Sequence, residues 1–324
     1  MTRWLVGRTA QAAATFAVAI LLLFVLMRIA PGDPLSRLVG DRGFSAEEIA
    51  ALKARFGLDQ PLTAQFRTFL AGAFRGDLGV SIEHYPERVT GLLASRLPAT
   101  LLLGGTVLLL NFTLGVWLGV RQAVRRGSRF DRWTTRLALA GYATPSFWLG
   151  LVLVAFLSLR WRLFPAGQMS DPLLTADAGA LERALDLLHH LVLPAATLSL
   201  TSIALTMRHQ RAALLAVFRQ DYVTAARARG LPERRVLWNH AWRNTLMPMI
   251  TLLGLWLPIL VSGSVFVEAV FNWPGLGSLA ASAIAARDYP VLLGTAMLVS
   301  GAVILGGLLA DIGYALVDPR ARPA

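Results

Sequence analysis

The chain has 324 residues, of which 55% are hydrophobic and only 15% charged, with a formal net charge of +12 and no cysteine. Soluble proteins carry roughly 25% charged residues, so an ordinary soluble domain is a poor fit, and disulfides, thiolate zinc sites and cysteine nucleophiles are excluded. A basic surplus can mark nucleic-acid binding, but here the arginines flank apolar runs and no soluble basic domain gathers them, so no nucleic-acid partner is expected.

A membrane span needs about 20 largely apolar residues, and a charge at the bilayer centre costs ~2.5–3.5 kcal/mol. Six runs free of Asp, Glu, Lys and Arg meet or approach that length: Thr9–Met27, Leu97–Val120, Leu137–Leu159, Leu191–Met207, Asn244–Val267 and Tyr289–Ala310. The predicted fold class is all-α, a polytopic membrane protein with about six transmembrane helices.

The first run follows Arg3 and Arg8, as a signal peptide would. Its length, and Ala30–Pro31 where cleavage needs small residues, favour a retained span. Residues 1–30 are thus read as a short N-terminus plus that span. Residues 31–96 form a large loop. Ser45 and Glu48 make a capping box for a helix over about 46–56, and Gly57 offers its stop. A second helix starts near Pro61 and aligns Leu62, Phe66, Phe69 or Leu70, and Phe74 on one face. These helices are expected to lie on the outer ends of the spans, either as a docking platform for a delivery partner or as a membrane-surface flap.

The core is read as residues 97–317, followed by a tail at 318–324. Between the second and third runs stand Arg121, Arg125, Arg126, Arg129, Arg132 and Arg136 against the single acid Asp131. Between the fourth and fifth, Arg208, Arg211, Arg219, Arg227, Arg229, Arg234, Arg235 and Arg243 face only Asp221 and Glu233. Residues 31–96 balance eight basic with eight acidic residues. The positive-inside rule therefore places both arginine-rich loops and both termini in the cytoplasm.

The fourth run is the shortest and needs its flanks, including His189 and His190, to reach across. It carries Thr197 with Thr201, and Ser202 with Thr206, at helical spacing. The fifth run carries Pro258, Ser262 and Ser264. Such residues either line a path or join helices. Asp311, near the end of the last run, is a candidate gate or helix-end charge.

The loop at about 212–243 is the most informative stretch. Asp221 can cap a helix start, Gly230 can end that helix in the left-handed conformation, and Pro232 can open the next. Between them lie Tyr222, a candidate anchor in a groove, Thr224, and the small Ala225 and Ala226, which leave room for close approach. An ordinary capped surface loop is the alternative on the residues alone.

Here the sequence resembles the inner-membrane permeases of ABC importers, the dipeptide/oligopeptide family. Thr224-Ala225-Ala226-x-x-x-Gly230 is similar to that family's EAA motif, with Thr224 where Glu is usual. Leu231-Pro232 follow directly, and the likeness continues through His240-Ala241 and Arg243-Asn244 to Pro248. Further matches are Ala30-Pro31-Gly32-Asp33-Pro34, Gly57-Leu58-Asp59-Gln60-Pro61, Arg75-Gly76-Asp77-Leu78-Gly79, Leu97-Pro98-Ala99-Thr100 and Pro145-Ser146-Phe147-Trp148-Leu149-Gly150. Phe164-Pro165-Ala166-Gly167, Asn272-Trp273-Pro274-Gly275-Leu276-Gly277, Asp288-Tyr289-Pro290 and Asp318-Pro319-Arg320 complete the series. The large loop after the first span resembles the first of the family's two paired permeases.

The resemblance implies a second homologous permease enclosing the path, two ATPase subunits, and an extracytoplasmic solute-binding protein, in a bacterial inner membrane. Residues 222–232 would be the coupling helix seated on one ATPase. The solute would be a dipeptide, a longer peptide, a nickel complex or glutathione. No cofactor is expected in this chain; ATP and Mg would be held by the ATPases.

The residues agree with a non-enzymatic role. A phosphate loop needs Gly-Lys-Ser or Gly-Lys-Thr, yet the one lysine, Lys53, follows Leu52. No His-Glu-x-x-His pair exists. His189 and His190 point about 100° apart on a helix and do not share one ion. The remaining alternative is an ion-gradient-driven transporter, although the apolar runs hold none of the ionisable groups such transporters place there.

Overall fold

In lipid the backbone has no water to bond, so a spanning segment must satisfy its N–H and C=O groups internally, as a helix does. The computed structural model describes residues 2–29, 46–174, 177–262 and 264–317. Among the described residues there is no β-strand, only an isolated bridge between Val80 and Arg88. Helices α1 (Thr2–Ile29), α2 (Ala46–Arg55), α3 (Leu62–Phe74) and α4 (Val89–Val124) are followed by α5 (Arg129–Ala143) and α6 (Ser146–Arg160). Then come α7 (Ala180–Val217), α8 (Asp221–Ala228), α9 (Trp242–Ser262), α10 (Val265–Val270), α11 (Leu276–Ala286) and α12 (Tyr289–Val317). Among the described residues, three helices are long and apolar enough by themselves to cross a membrane: α4, α7 and Tyr289–Leu309 of α12. The tail 318–324 and the Ala30–Pro34 motif lie outside the described residues.

The chain divides into two compact units. The first comprises residues 1–100, 261–265 and 274–304. In it Val89, Leu92 and Leu93 pack against Leu276, Leu279, Ala283 and Val291. Phe66 and Phe69 of α3 cover Phe24 and Met27 of α1 together with Tyr289 and Leu293, and the Phe24 and Phe66 rings lie 5.0 Å apart. The apolar face of α3 is narrower than its spacing suggests: Leu62 is 53% and Phe74 89% exposed. The helix before it ends as expected, with Gly57 at φ +63° and the Leu58 N–H donating to the Lys53 carbonyl.

Asp288 ties this unit together. Its carboxylate is fully buried. Oδ2 accepts from the Ile82 N–H at 3.0 Å, the Glu83 N–H at 3.1 Å and the Ser81 hydroxyl, while Oδ1 accepts from the Val291 N–H at 3.3 Å. One side chain thus caps α12 and holds the strap at residues 81–83. Thr100 does the same for α11, accepting from the Leu276 N–H at 2.7 Å.

The second unit comprises residues 101–260, 266–273 and 305–324. Its spine is α7, whose 38 residues correspond to ~57 Å of helix. The short fourth run reaches across because the helix continues well beyond it at both ends, and residues 212–217, read from sequence as loop, belong to this helix. Against α7 lie glycines that admit no side chain. A Cβ on Gly119 would stand 2.6 Å from the Met207 carbonyl oxygen, and one on Gly141 would stand 2.6 Å from that of Leu200.

The third run, Leu137–Leu159, is not one straight helix. α5 and α6 are bent by 103°. Pro145 excludes the helical conformation from the residue before it, and Thr144 is extended at φ −86°, ψ 127°. The Pro145–Gly150 motif is therefore the break and the first turn of α6. The α5 surface leaves Trp133, Leu137, Leu139 and Tyr142 exposed.

Replacing Asp288 by Ala leaves three buried or part-buried backbone donors and a buried hydroxyl without their acceptor. At ~1–3 kcal/mol for an orphaned buried group, we expect a large fall in the thermal midpoint of the detergent-solubilised protein, with Asp288→Asn intermediate. A midpoint within one degree or so of the parent in both variants would exclude this role for Asp288.

Candidate coupling site

The segment that joins α7 to α9 begins with a turn at 218–220. Gln220, extended at φ −78°, ψ 145°, occupies the cap position of α8. Asp221 is therefore the first helical residue and not the cap; its carboxylate sits where the helix dipole favours negative charge. The far end of α8 is a Schellman turn. Gly230 takes φ +74°, its N–H donates to the Arg227 carbonyl at 2.9 Å, and the Leu231 N–H donates to the Ala226 carbonyl at 3.4 Å. Leu231 packs back on the apolar face it closes, as this motif requires. Pro232 then caps a helical run through Glu233–Arg235 and a π turn at Val236–Ala241, which leads into α9.

The two alanines divide their work. Ala226 is fully buried with Val223 and Val236, against Val217, Phe218 and Leu231. Ala225 and Thr224 face outward. The expected two-alanine surface is thus a single outward alanine, because residues one apart on a helix point to different sides. Tyr222 is 42% exposed, and its hydroxyl accepts from the Asn244 side chain of α9. Arg227 reaches over the turn to Glu233 at 2.8 Å and covers the Phe218 ring at 5.2 Å. An exposed pair of this kind adds little stability; it fixes the orientation of the turn.

Beneath the turn, Ala241 packs with Val120 and Ala123 of α4 and Leu214 of α7. Gln210 of α7, fully buried, donates to the Thr245 hydroxyl of α9 at 3.2 Å. The α8 turn is therefore bonded to three long helices through Val223, Val236, Ala241 and Asn244. Sequence reasoning did not single out the first two; their signal was the apolar i, i+3 spacing of Val223 with Ala226.

A second brace stands beside it. Asp131, in the arginine-rich segment at the start of α5, accepts from Arg211 Nε at 3.0 Å, Arg211 Nη2 at 2.9 Å and the Gly127 N–H at 2.9 Å. Burial pushes its carboxyl up, but the Arg211 and Gly127 bonds and the nearby Arg126 charge outweigh burial and hold it below its ordinary value of 3.8.

The polar residues of the fourth run bond mainly to their own helix. Thr197, fully buried, donates to the Leu193 carbonyl at 2.8 Å, and Thr201 donates to that of Leu198 at 3.0 Å. Ser202 exchanges hydrogen bonds with Asn111 of α4. Thr206 is buried against Gly115. Thr197 and Thr206 are fully buried, and Thr201 and Ser202 are half-buried. Ser264 lies in the break before α10, and Pro258, Ser262 and Asp311 are described through their helical backbone alone. Glu268, directly after the fifth run, is fully buried. The His189 and His190 rings are 6.4 Å apart and nearly perpendicular, one near the Leu163 carbonyl and the other near Asp186. Among the described residues no three His, Asp or Glu side chains converge to hold a metal.

A helical, multi-pass membrane protein with a capped turn between two long helices is the class defined by this geometry. Residues 111–323 match the profile of the binding-protein-dependent transport system inner membrane component, and residues 1–104 match the N-terminal profile of the same systems. The chain belongs to this family, the membrane component of ABC importers, and the gradient-driven alternative is set aside. It is 36% identical to the dipeptide transport system permease protein of Escherichia coli and 37% identical to the oligopeptide transport system permease protein of Bacillus subtilis, over 99% of each chain. It is 38% identical to the di/tripeptide transport system permease protein of Pseudomonas aeruginosa over 95% of each. The family is a transport component and not itself catalytic.

The depressed Asp131 carboxyl sets a pH dependence. A lowered folded pKa stabilises at every pH above the unfolded value and is lost as pH falls through the folded one. Thermal midpoints of the parent minus Asp131→Asn should thus be constant between neutral pH and about pH 5 and shrink only below about pH 4. A difference that changes between pH 6 and 8 would contradict the assignment.

Proposed function

We propose that this chain is one of two homologous permease subunits that together enclose a path for peptides, and that α8 is the element through which a partner ATPase moves it. The peptide class is supported by the names of the relatives, all peptide permeases at similar identity. Two ATPase subunits would hold ATP and Mg, and an extracytoplasmic binding protein would deliver the solute. The excess of arginine around α8 and α5 supports a cytoplasmic position for both, with both termini on that side of a bacterial inner membrane and six spans between.

The observation that carries this reading is the construction of the α8 turn. Its inner face, Val223 and Ala226, is welded to the base of α7 and to the run before α9. Its outer face offers Tyr222, Ala225 and Arg229, all exposed among the described residues. A short helix with one face fixed to long rods and the other open passes a displacement instead of absorbing it, because packed interiors are nearly incompressible. Closure of the ATPases on ATP would push α8 and tilt α7 and α9 together, giving alternating access.

Ala225→Arg fills the outward face without touching the packed one. We expect normal yield, loss of at least about tenfold in ATP-driven peptide uptake, and ATPase turnover no longer stimulated by loaded binding protein. Ala226→Arg instead forces a charge into the packed face and should reduce the folded yield itself. Undiminished uptake by the Ala225 variant would reject the docking role. Because the chain lacks cysteine, Ala225→Cys gives a single labelling site. A membrane-impermeant maleimide should modify it only after permeabilisation of the inner membrane, and labelling of intact spheroplasts from outside would reverse the proposed orientation.

A further inference from the structure

Beside the Asp131–Arg211 brace lies an open cavity of about 690 Å³, between the first turns of α5 and the 205–212 stretch of α7. Its wall carries Arg132, Arg136, Arg208, Arg211 and His209, with Asp131 as the one acid. That acid is consumed by its bidentate bond to Arg211. Arg132, Arg136 and Arg208 remain as exposed cations, with no carboxylate partner among the described residues.

The inner wall supplies a second, independent feature. Gln122 is fully buried and lines the cavity, yet its Oε1 has no hydrogen-bond donor among the described residues. The orientation of its amide is determined by its neighbours. Nε2 donates to the Thr134 hydroxyl at 2.7 Å and the Thr135 hydroxyl at 3.1 Å, and Thr134 has given its own proton to the Phe130 carbonyl. The nitrogen is therefore used, and the oxygen has no donor among the described residues. Buried acceptors are seldom left so.

The depth of the cavity is marked by aromatic residues. Trp133 of α5 and Trp117 of α4 are more than half or half exposed, and each carries an arginine over its ring: Arg136 at 5.4 Å and Arg121 at 4.7 Å. Exposed tryptophan beside arginine is the signature of the level where headgroups meet acyl chains. Further along α5, Leu137, Leu139 and Tyr142 are bare and apolar. The exposed tryptophans and apolar side chains on the same helices support a headgroup-level position for the cluster of cations and the buried amide.

We propose that this cavity binds the headgroup of an anionic phospholipid of the cytoplasmic leaflet, with Arg132, Arg136 and Arg208 taking the phosphate and Gln122 Oε1 accepting from a headgroup hydroxyl. The shared chemistry is a phosphate bearing a nearby hydroxyl, and the aromatic girdle selects the lipid over a soluble phosphate. The leaflet rests on the orientation proposed above; the site itself does not. A bound headgroup would join α5 to α7 on the side of the α8 turn.

The test uses the assembled importer, delipidated in mild detergent and titrated with phosphatidylglycerol or phosphatidylcholine, with lipid adducts counted by native mass spectrometry. We expect the parent to retain phosphatidylglycerol over phosphatidylcholine, and Arg132→Gln/Arg208→Gln to lose that retention by more than tenfold, at about fivefold per arginine. Arg125→Gln/Arg129→Gln, which removes equal charge outside the cavity, should retain it. Equal loss in the two double variants would reduce the site to diffuse charge and overturn the proposal. So would displacement of the lipid by excess inorganic phosphate, or absence of any adduct on the parent complex, as when an acidic segment of a partner subunit fills the cavity. Adduct counting does not depend on orientation, so a reversed maleimide result changes the leaflet and leaves the site standing.

Discussion

The second unit depends on how closely backbone can approach backbone along α7. In lipid, apolar side chains gain little by leaving one apolar surround for another, so helices associate through close packing and hydrogen bonds. Gly119 and Gly141 let neighbouring helices come within reach of the α7 carbonyls, and any Cβ there would collide with them. The polar side chains at the same seams, Asn111 with Ser202 and Gln210 with Thr245, bond across the gaps that small residues leave. The result is a set of helices that cannot slide independently, which is the property a moving transport subunit needs in its rigid parts.

The α8 turn inherits that rigidity. A free loop would dissipate a push in rotation about its own backbone. Here the Schellman turn at Gly230, the buried Val223–Ala226 face and the Tyr222–Asn244 bond leave the turn few independent degrees of freedom. The proposed coupling role follows from this economy: small residues outward for a partner, small residues inward for the spine. The first unit uses a different device. There a single buried carboxylate, Asp288, gathers donors from the 81–83 strap and from α12, replacing a larger apolar core that the short helices α2 and α3 do not supply.

Much of this was legible in the chain. Charge-free runs imply membrane spans because burial of charge in lipid is so costly, and the order of Pro, Gly and Ala motifs identified the family at near full length. Gly57 and Gly230 announced their turns, since few other residues accept positive φ. The seam and clamp residues were less visible. Asp288, Asp131 and Glu268 look alike in sequence, each a lone acid near the end of an apolar run; only their neighbours distinguish a cap, an ion pair and a buried acid. The bend at Pro145 was hidden by composition, because the run Leu137–Leu159 carries no charged residue on either side of it.

By itself, the sequence determined the solvent of this protein, its helical class, its family and the position of its capped turns, because these follow from local composition and from the conformational limits of single residues. The tertiary structure alone decided which side of each helix is used. It turned Ala226 inward and Ala225 outward, paired Asp131 with Arg211 eighty residues away, and buried Gln122 in the wall of a cavity that also carries Arg132, Arg136 and Arg208. Those outcomes depend on which helices meet and at what rotation, and no run of neighbouring residues contains that information.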